Sequence, residues 1–255
     1  MEQFVSYPRY FFIVSFVLMS IAAWIGHVFL RRNKPLDSDA REDFHVVQSA
    51  TLTLLALVIG FSLSMAVGRY DQRKNFEAAE ANAIRTEFLR AGLLRAAEAA
   101  TIRLLLAQYV AQRVLFYQVR DSQKLDEINS KTAELQTELW AAALAGAMPQ
   151  PNPLTALAVA GMNDVINTQG YTQAAWRNRL PLESWSLIIV IGVLCNLLVG
   201  YGSRSATAKR WYLLIMPMAV ALSFMLIADI DSPRGGFIRV VPQNLISTAQ
   251  SLPKP

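Results

Sequence analysis

A chain of 255 residues that is 53% hydrophobic and 17% charged, with mean hydropathy +0.29, is too apolar for a soluble domain and reads as an integral membrane protein. Its net charge of +5 sits in Lys and Arg that flank apolar runs, without the dense basic face a nucleic-acid partner would need. A single cysteine, Cys195, excludes an internal disulfide, and with two scattered histidines it makes no metal-ligand set, so neither metal nor cofactor is expected.

Residues 1–9 are short and polar apart from Phe4 and Val5. Tyr10 to Leu30 is an unbroken apolar run, about 30 Å long as a helix and so enough to cross the hydrocarbon core. A signal peptide would have a shorter apolar core and a basic leader. Here only Arg9 precedes the run, so a retained first span is expected over about 10–30. His27 near its end reads as an interfacial histidine. Arg31, Arg32 and Lys34 close the span, and Pro35 to Phe44 mixes both charge signs, predicting a surface loop with a helix beginning between Asp39 and Asp43.

The second span, about 46–67, is dotted with hydroxyls. Thr51, Leu55, Val58, Ser62, Met65 and Arg69 share one helical face, and Ser49, Thr53, Gly60 and Ser64 an adjacent one. Two readings stand. Small residues permit tight helix packing, with Ser and Thr bonded to the preceding turn; or the face lines water. No proline separates this span from the charged, alanine-rich stretch that follows, so one continuous helix should leave the bilayer. Arg69, Asp71, Arg73, Lys74, Glu77 and Glu80 alternate in sign, which predicts a solvated or interfacial helix there. An apolar stripe from Ile84 to Tyr117 predicts one or two long helices over about 70–120, bent near Gly92.

Leu125, Ile128, Thr132, Leu135, Leu139 and Ala142 step by alternating threes and fours. This heptad seam is too short for a free coiled coil and predicts packing inside a helical bundle, with oligomer contact as the alternative. The prolines of MPQPNP predict an extended link. Leu154 to Arg179 is helical again, with Leu154, Leu157, Gly161, Val165 and Thr172 on one face and Asn163, Asp164, Asn167 and Gln169 on a polar one. The third span is expected over about 184–201, with Asn196 its one strongly polar member, and the fourth over about 211–228, kinked at Pro217. Arg204, Lys209 and Arg210 lie in the turn between them. A short β-type run, Phe237 to Val241, and a loose end are expected after the fourth span.

The expectation is an all-α membrane protein: a first transmembrane pair (1–68), a long-helix extramembrane insert (69–182), a second pair (183–230) and a tail (231–255). The positive-inside count gives nine Lys and Arg against seven for cytoplasmic termini and insert, a narrow vote for that orientation in a plasma (inner) membrane. No phosphate loop, nucleophile elbow or metal spacing appears. Two acidic groups are the candidates for catalysis: Asp229 with Asp231, and Glu80 with Asp71 and Arg90. Both read as structural, the first as a helix stop pairing with Arg234.

The run GFSLSMAVGRYDQRKNFEAAEANAIRTEFLRAGLL and the later LIADIDSPRGGFIRV resemble a bacterial membrane family described as bestrophin-like, over nearly the whole chain. The more distant resemblance to bestrophins implies a homo-oligomer, a pentamer there, that passes small anions, with the second span lining the pore and a neck of large apolar residues at four-residue spacing. Leu57, Phe61 and Met65 match that spacing. The calcium-binding acidic cluster of animal bestrophins has no counterpart. What the resemblance implies is an ion channel with Thr51, Leu57, Phe61, Ser62, Met65 and Arg69 as pore-lining or gate candidates. The other reading is a non-conducting, membrane-anchored scaffold or sensor that works through its insert.

Overall fold

A computed structural model of the chain describes residues 7–30, 38–203 and 211–252. The expectations for residues 1–6, for Arg31 to Ser38's preceding loop, and for the turn holding Arg204, Lys209 and Arg210 lie outside them. All regular structure among the described residues is helical. In chain order the helices are α1 (Pro8–Ile25), running into a π-helical turn (Gly26–Leu30), α2 (Ser38–Arg90), a 3-10 turn (Ala91–Leu93), α3 (Ala96–Gln118), α4 (Ser122–Ala147), α5 (Pro153–Arg177), α6 (Leu182–Gly202), α7 (Tyr212–Asp231) and α8 (Gln243–Ser251). By length and composition four stretches can cross a membrane, contained in Pro8–Phe29, Ala40–Leu93, Pro153–Gly202 and Tyr212–Asp231. The chain divides into two compact units, Met1–Arg69 with Arg179–Arg239, and Tyr70–Asn178 with Val240–Pro255.

The first unit holds α1, α6, α7 and α2 as far as Arg69. Its core is built where α1 meets α6 and α7: Phe11 lies edge-on to Trp185 at 5.1 Å and stacks with Phe224 at 6.4 Å, with Met19, Ala22 and Ala23 fully enclosed below them. Lipid is as apolar as leucine, so burial alone does not drive these helices together; close backbone approach does. Glycines make that approach possible. A Cβ at Gly26 would sit 2.1 Å from the Leu197 carbonyl oxygen, and one at Gly200 would sit 2.0 Å from that of Ala23. His27, within the π-helical turn, is 2.6 Å from the Ser203 hydroxyl. α2 begins at Ser38, one residue before the stretch in which a helix was expected to start, so that little of the expected loop up to Phe44 is left. Phe44 is the reason: it is buried against Tyr201, and a residue anchored that way belongs to a packed helix, not a surface loop. α7 runs unbroken through Pro217.

The second unit is a helical bundle of α3, α4, α5, α8 and α2 from Tyr70. Its core joins Ile84, Ile102, Leu106, Leu135, Leu139, Met162, Val165, Trp176 and Leu245, each large apolar side chain worth about 1.5–3 kcal/mol on full burial. The heptad seam lies in this core, with Ala143 rather than Ala142 enclosed. α2 ends in the 3-10 turn at Gly92, where the bend was expected. The MPQPNP segment is a tight turn, because Pro153 starts α5 and Asn152 caps it in a reciprocal box with Thr155. Along α5, Gly161, Val165 and Thr172 face inward as the spacing predicts, whereas Leu154 and Leu157 are exposed. Gln169, assigned above to the polar face, is buried because Gln136 donates to it at 3.3 Å.

Three further expectations are corrected. Arg73, Glu77 and Glu80 are buried, not solvated; α3 and α5 supply the partners of Glu80, and α8 those of Glu77. Phe237 to Val241 forms no strand; the Asp229 carboxylate accepts from the amides of Phe237 and Ile238 at 2.7 and 2.8 Å and holds the segment as an irregular turn. The end of the chain is α8, not a loose tail. Glu77 accepts from the Leu245 amide at 2.9 Å and from the Asn244 side chain at 2.6 Å, satisfying the helix N-terminus with a carboxylate where the dipole favours one.

Candidate functional site

α2 presents two faces with different chemistry. On one, Phe44, Leu55, Ser62 and Ala66 are buried in the first unit. Ser62 donates to the Val58 carbonyl at 2.8 Å, Thr51 to Val47 at 2.7 Å and Thr53 to Ser49 at 2.9 Å. The hydroxyls at Thr51, Thr53 and Ser62 are therefore satisfied by their own helix, one turn back. The Thr51 carbonyl also accepts a thiol contact from Cys195 at 3.3 Å. Arg69, at the end of this face, lies 3.7 Å from Asp231.

The opposite face carries Leu57, Phe61 and Met65, exposed to 53%, 62% and 47%. Gly60, Ser64 and Gly68 lie beside them and are exposed, and a Cβ added at either glycine would meet nothing within 4 Å. The six candidates thus separate. Leu57, Phe61 and Met65 form one open row, while Thr51, Ser62 and Arg69 are turned into the subunit. Among the spans α2 is also the least covered: its most apolar window is 17% buried, against 33%, 33% and 44% for the others.

The remaining polar candidates form separate knots. Asp231 accepts from the Leu180 amide at 3.1 Å besides facing Arg69, and Asp229 holds the turn described above. The two carboxylates point to different partners, which supports the helix-stop reading of the pair. Asp71 is exposed. Glu80 does not meet Arg90: it is fully buried with Arg113, whose Nε donates to it, and Thr172 donates to its other oxygen at 3.1 Å. The Arg113 guanidinium lies 4.3 Å over the Phe116 ring. Burial, with Glu80 next to it, pushes the Tyr109 phenol well above its usual range. Arg90 instead pairs with Asp164 at 3.7 Å. Glu77, Arg113 and Glu87 are buried polar groups that the sequence reading did not single out. A signal was present: Arg73, Glu77, Glu80, Ile84, Glu87 and Ala91 recur at steps of three and four, one stripe of a helix.

The family model of the Bestrophin-like domain matches residues 13–245. The chain belongs to the bestrophin-like family. Among solved structures, a bacterial bestrophin homolog from Klebsiella pneumoniae shares 15% identity over 96% of this chain and 99% of its own, with a TM-score of 0.64. A point-substituted form of that homolog matches at 13% identity over 94% and 98%, TM-score 0.64. A structure described as a membrane protein matches at 14% over 96% and 99%, TM-score 0.65. At these identities the likeness establishes the fold. No curated protein matches the chain. This bestrophin-like protein is therefore a membrane protein, with four candidate spans among its described residues.

Proposed function

We propose that this protein is a homo-oligomeric ion channel whose pore runs along the open row of α2, with Leu57, Phe61 and Met65 narrowing it. The observation that carries the reading is the mismatch on α2. It is an apolar span with a single covered stripe, and its open face mixes large apolar side chains with Gly60, Ser64 and Gly68. Copies of α2 arranged around an axis would cover that face, and a ring of large apolar side chains would gate by dewetting. Membership of the bestrophin-like family supports a ring, a pentamer by analogy with bestrophins, and small anions as the permeant species. Thr51, Ser62 and Arg69 support the wall from inside the subunit. Arg69, next to Asp231, sets the end of the apolar stretch. The protein sits in the plasma membrane of a bacterium, with the insert and termini on the cytoplasmic side. The reading assigns no reaction to any residue.

The test is flux. Purified protein in liposomes is expected to dissipate a chloride gradient, and Phe61→Ala to raise the rate by widening the neck, while Ser62→Ala leaves it unchanged. A monomer in mild detergent would remove the pore. A ring that carries neither chloride nor common cations would leave a scaffold built on the helical insert.

A further inference from the structure

Glu87 is a buried carboxyl of the second unit whose oxygens make no hydrogen bond. It lies near the end of α2, beyond the apolar span. Gly161 of α5 makes the room for it: a Cβ there would sit 1.9 Å from Glu87 Oε2 and 2.6 Å from Arg90 Nη1. Two charged groups act on the carboxyl, Arg90 from its own helix and Asp164 from α5, and these pair with each other at 3.7 Å across the same two helices. Arg103 of α3 is engaged elsewhere, its Nε donating to the Phe88 carbonyl at 3.3 Å and its guanidinium lying over the Phe88 ring.

A neutral carboxyl can occupy such a gap at modest cost. A carboxylate without a donor cannot, because burying an unpaired charge is far more expensive than burying a polar group. We propose that Glu87, Gly161 and the Arg90–Asp164 pair form a proton-operated latch that holds α5 against the end of α2 when Glu87 is neutral and releases it when Glu87 ionises. Two outcomes are open to the ionised acid. Water enters as α5 withdraws at Gly161, or Arg90 turns inward to Glu87 and abandons Asp164. The first loses the α2–α5 contact at Gly161, and the second loses the Arg90–Asp164 pair that ties the two helices.

The direction follows from linkage. Burial, offset in part by Arg90 and reinforced by Asp164, raises Glu87 from 4.5 to about 8. A raised acid favours the closed form fully below its ordinary value, and that advantage is lost as pH climbs towards the folded value. The latch is firmest at and below about 4.5, weakens as pH rises from there, and has lost the advantage of the neutral acid by about 8. It goes beyond the channel reading and does not depend on it, since neither the geometry nor the readout involves ion flux.

The experiment is amide hydrogen exchange of the full-length protein in lipid nanodiscs, following residues 157–165 from below pH 4.5 to above pH 8 and correcting for the intrinsic pH dependence of exchange. Protection is expected to fall by up to about tenfold per pH unit between 4.5 and 8, the slope set by one proton, and to level off above the titration midpoint near 8. Glu87→Gln is expected to remain protected throughout. Asp164→Asn is expected to move the midpoint down and Arg90→Gln to move it up, opposite shifts that a merely structural contact would not give. The infrared difference between wild type and Glu87→Gln is expected to show a neutral carboxylic acid below the midpoint. Wild-type protection that is flat from pH 4.5 to pH 8 would overturn the proposal. So would a carboxylate signal at neutral pH, or the same transition in a folded Glu87→Gln protein. If Glu87→Gln does not fold, the shifts of Asp164→Asn and Arg90→Gln decide: no shift, or a shift of the wrong sign, overturns it.

Discussion

The Glu80–Arg113 pair shows how a charged residue enters a bundle core. Each ion alone would be too costly to bury, and their attraction is useful only because Thr172 satisfies the second carboxylate oxygen and Phe116 covers the cation. Breaking the pair from one side should therefore be worse than removing it. Arg113→Met is expected to cost about 3–5 kcal/mol, read as a large drop in the thermal unfolding midpoint of the purified protein. Adding Glu80→Leu to it should recover most of that loss. If the double variant is no more stable than Arg113→Met alone, the stranded carboxylate is not the source of the penalty. Asp229 offers a more local test. It accepts from two consecutive backbone amides, and an orphaned buried donor costs about 1–3 kcal/mol. Asp229→Ala should accelerate exchange at Phe237 and Ile238 while leaving the Leu180 amide, held by Asp231, protected. These knots were hidden in the sequence for a physical reason. Alternating charge on a helix usually means water, and only partners from distant positions such as Arg113, Thr172 and Leu245 turn the stripe of Arg73, Glu77 and Glu80 into a buried one.

At the scale of elements, the first unit depends on where backbones touch. Gly26 and Gly200 lie at the closest approach of α1 and α6, with backbone oxygens of Leu197 and Ala23 in the space a methyl would need. A carbonyl in a helix cannot be displaced by a rotamer change, so Gly26→Ala and Gly200→Ala must push the helices apart, and each is expected to lower the unfolding midpoint markedly. Gly60→Ala and Gly68→Ala meet open space within the subunit and gain helix propensity of up to about 1 kcal/mol. In an isolated subunit they should be neutral or stabilising. In a ring closed by α2 they should change the size or stability of the oligomer, which native mass spectrometry in detergent reads directly. An unchanged oligomer in both variants would count against α2 as the shared surface. The spans themselves were legible, because about twenty apolar residues bounded by charge are sufficient to mark them. Which face of a span touches its neighbour was not. The hydroxyls of Thr51 and Ser62 left tight packing and a wet face both open, and such groups are content with the carbonyl one turn back, so their presence carries no direction.

For the whole molecule, chain order and unit membership part company at the end. The last helix follows the first unit in sequence but is built into the second. Read alone, QNLISTAQS is short and polar, and nine residues do not sustain a helix in water, so a loose end was the natural expectation. Tertiary partners overturn it: Glu77 satisfies the N-terminal amide of Leu245, and the Leu245 side chain is fully enclosed. Leu245→Ala should therefore cost about 2–5 kcal/mol, concentrated in one unit. Truncation before Gln243 should go further, leaving Glu77 buried without its donors. Exchange mass spectrometry is expected to show lost protection around Ile102, Leu106 and Leu135, which share a core with Leu245. Protection around Phe11, Met19 and Phe224, which belong to the other unit, should be retained. Uniform loss across both sets would mean that the units unfold as one and that α8 stabilises the chain as a whole. Retained protection in both would mean that the bundle core closes without its last helix.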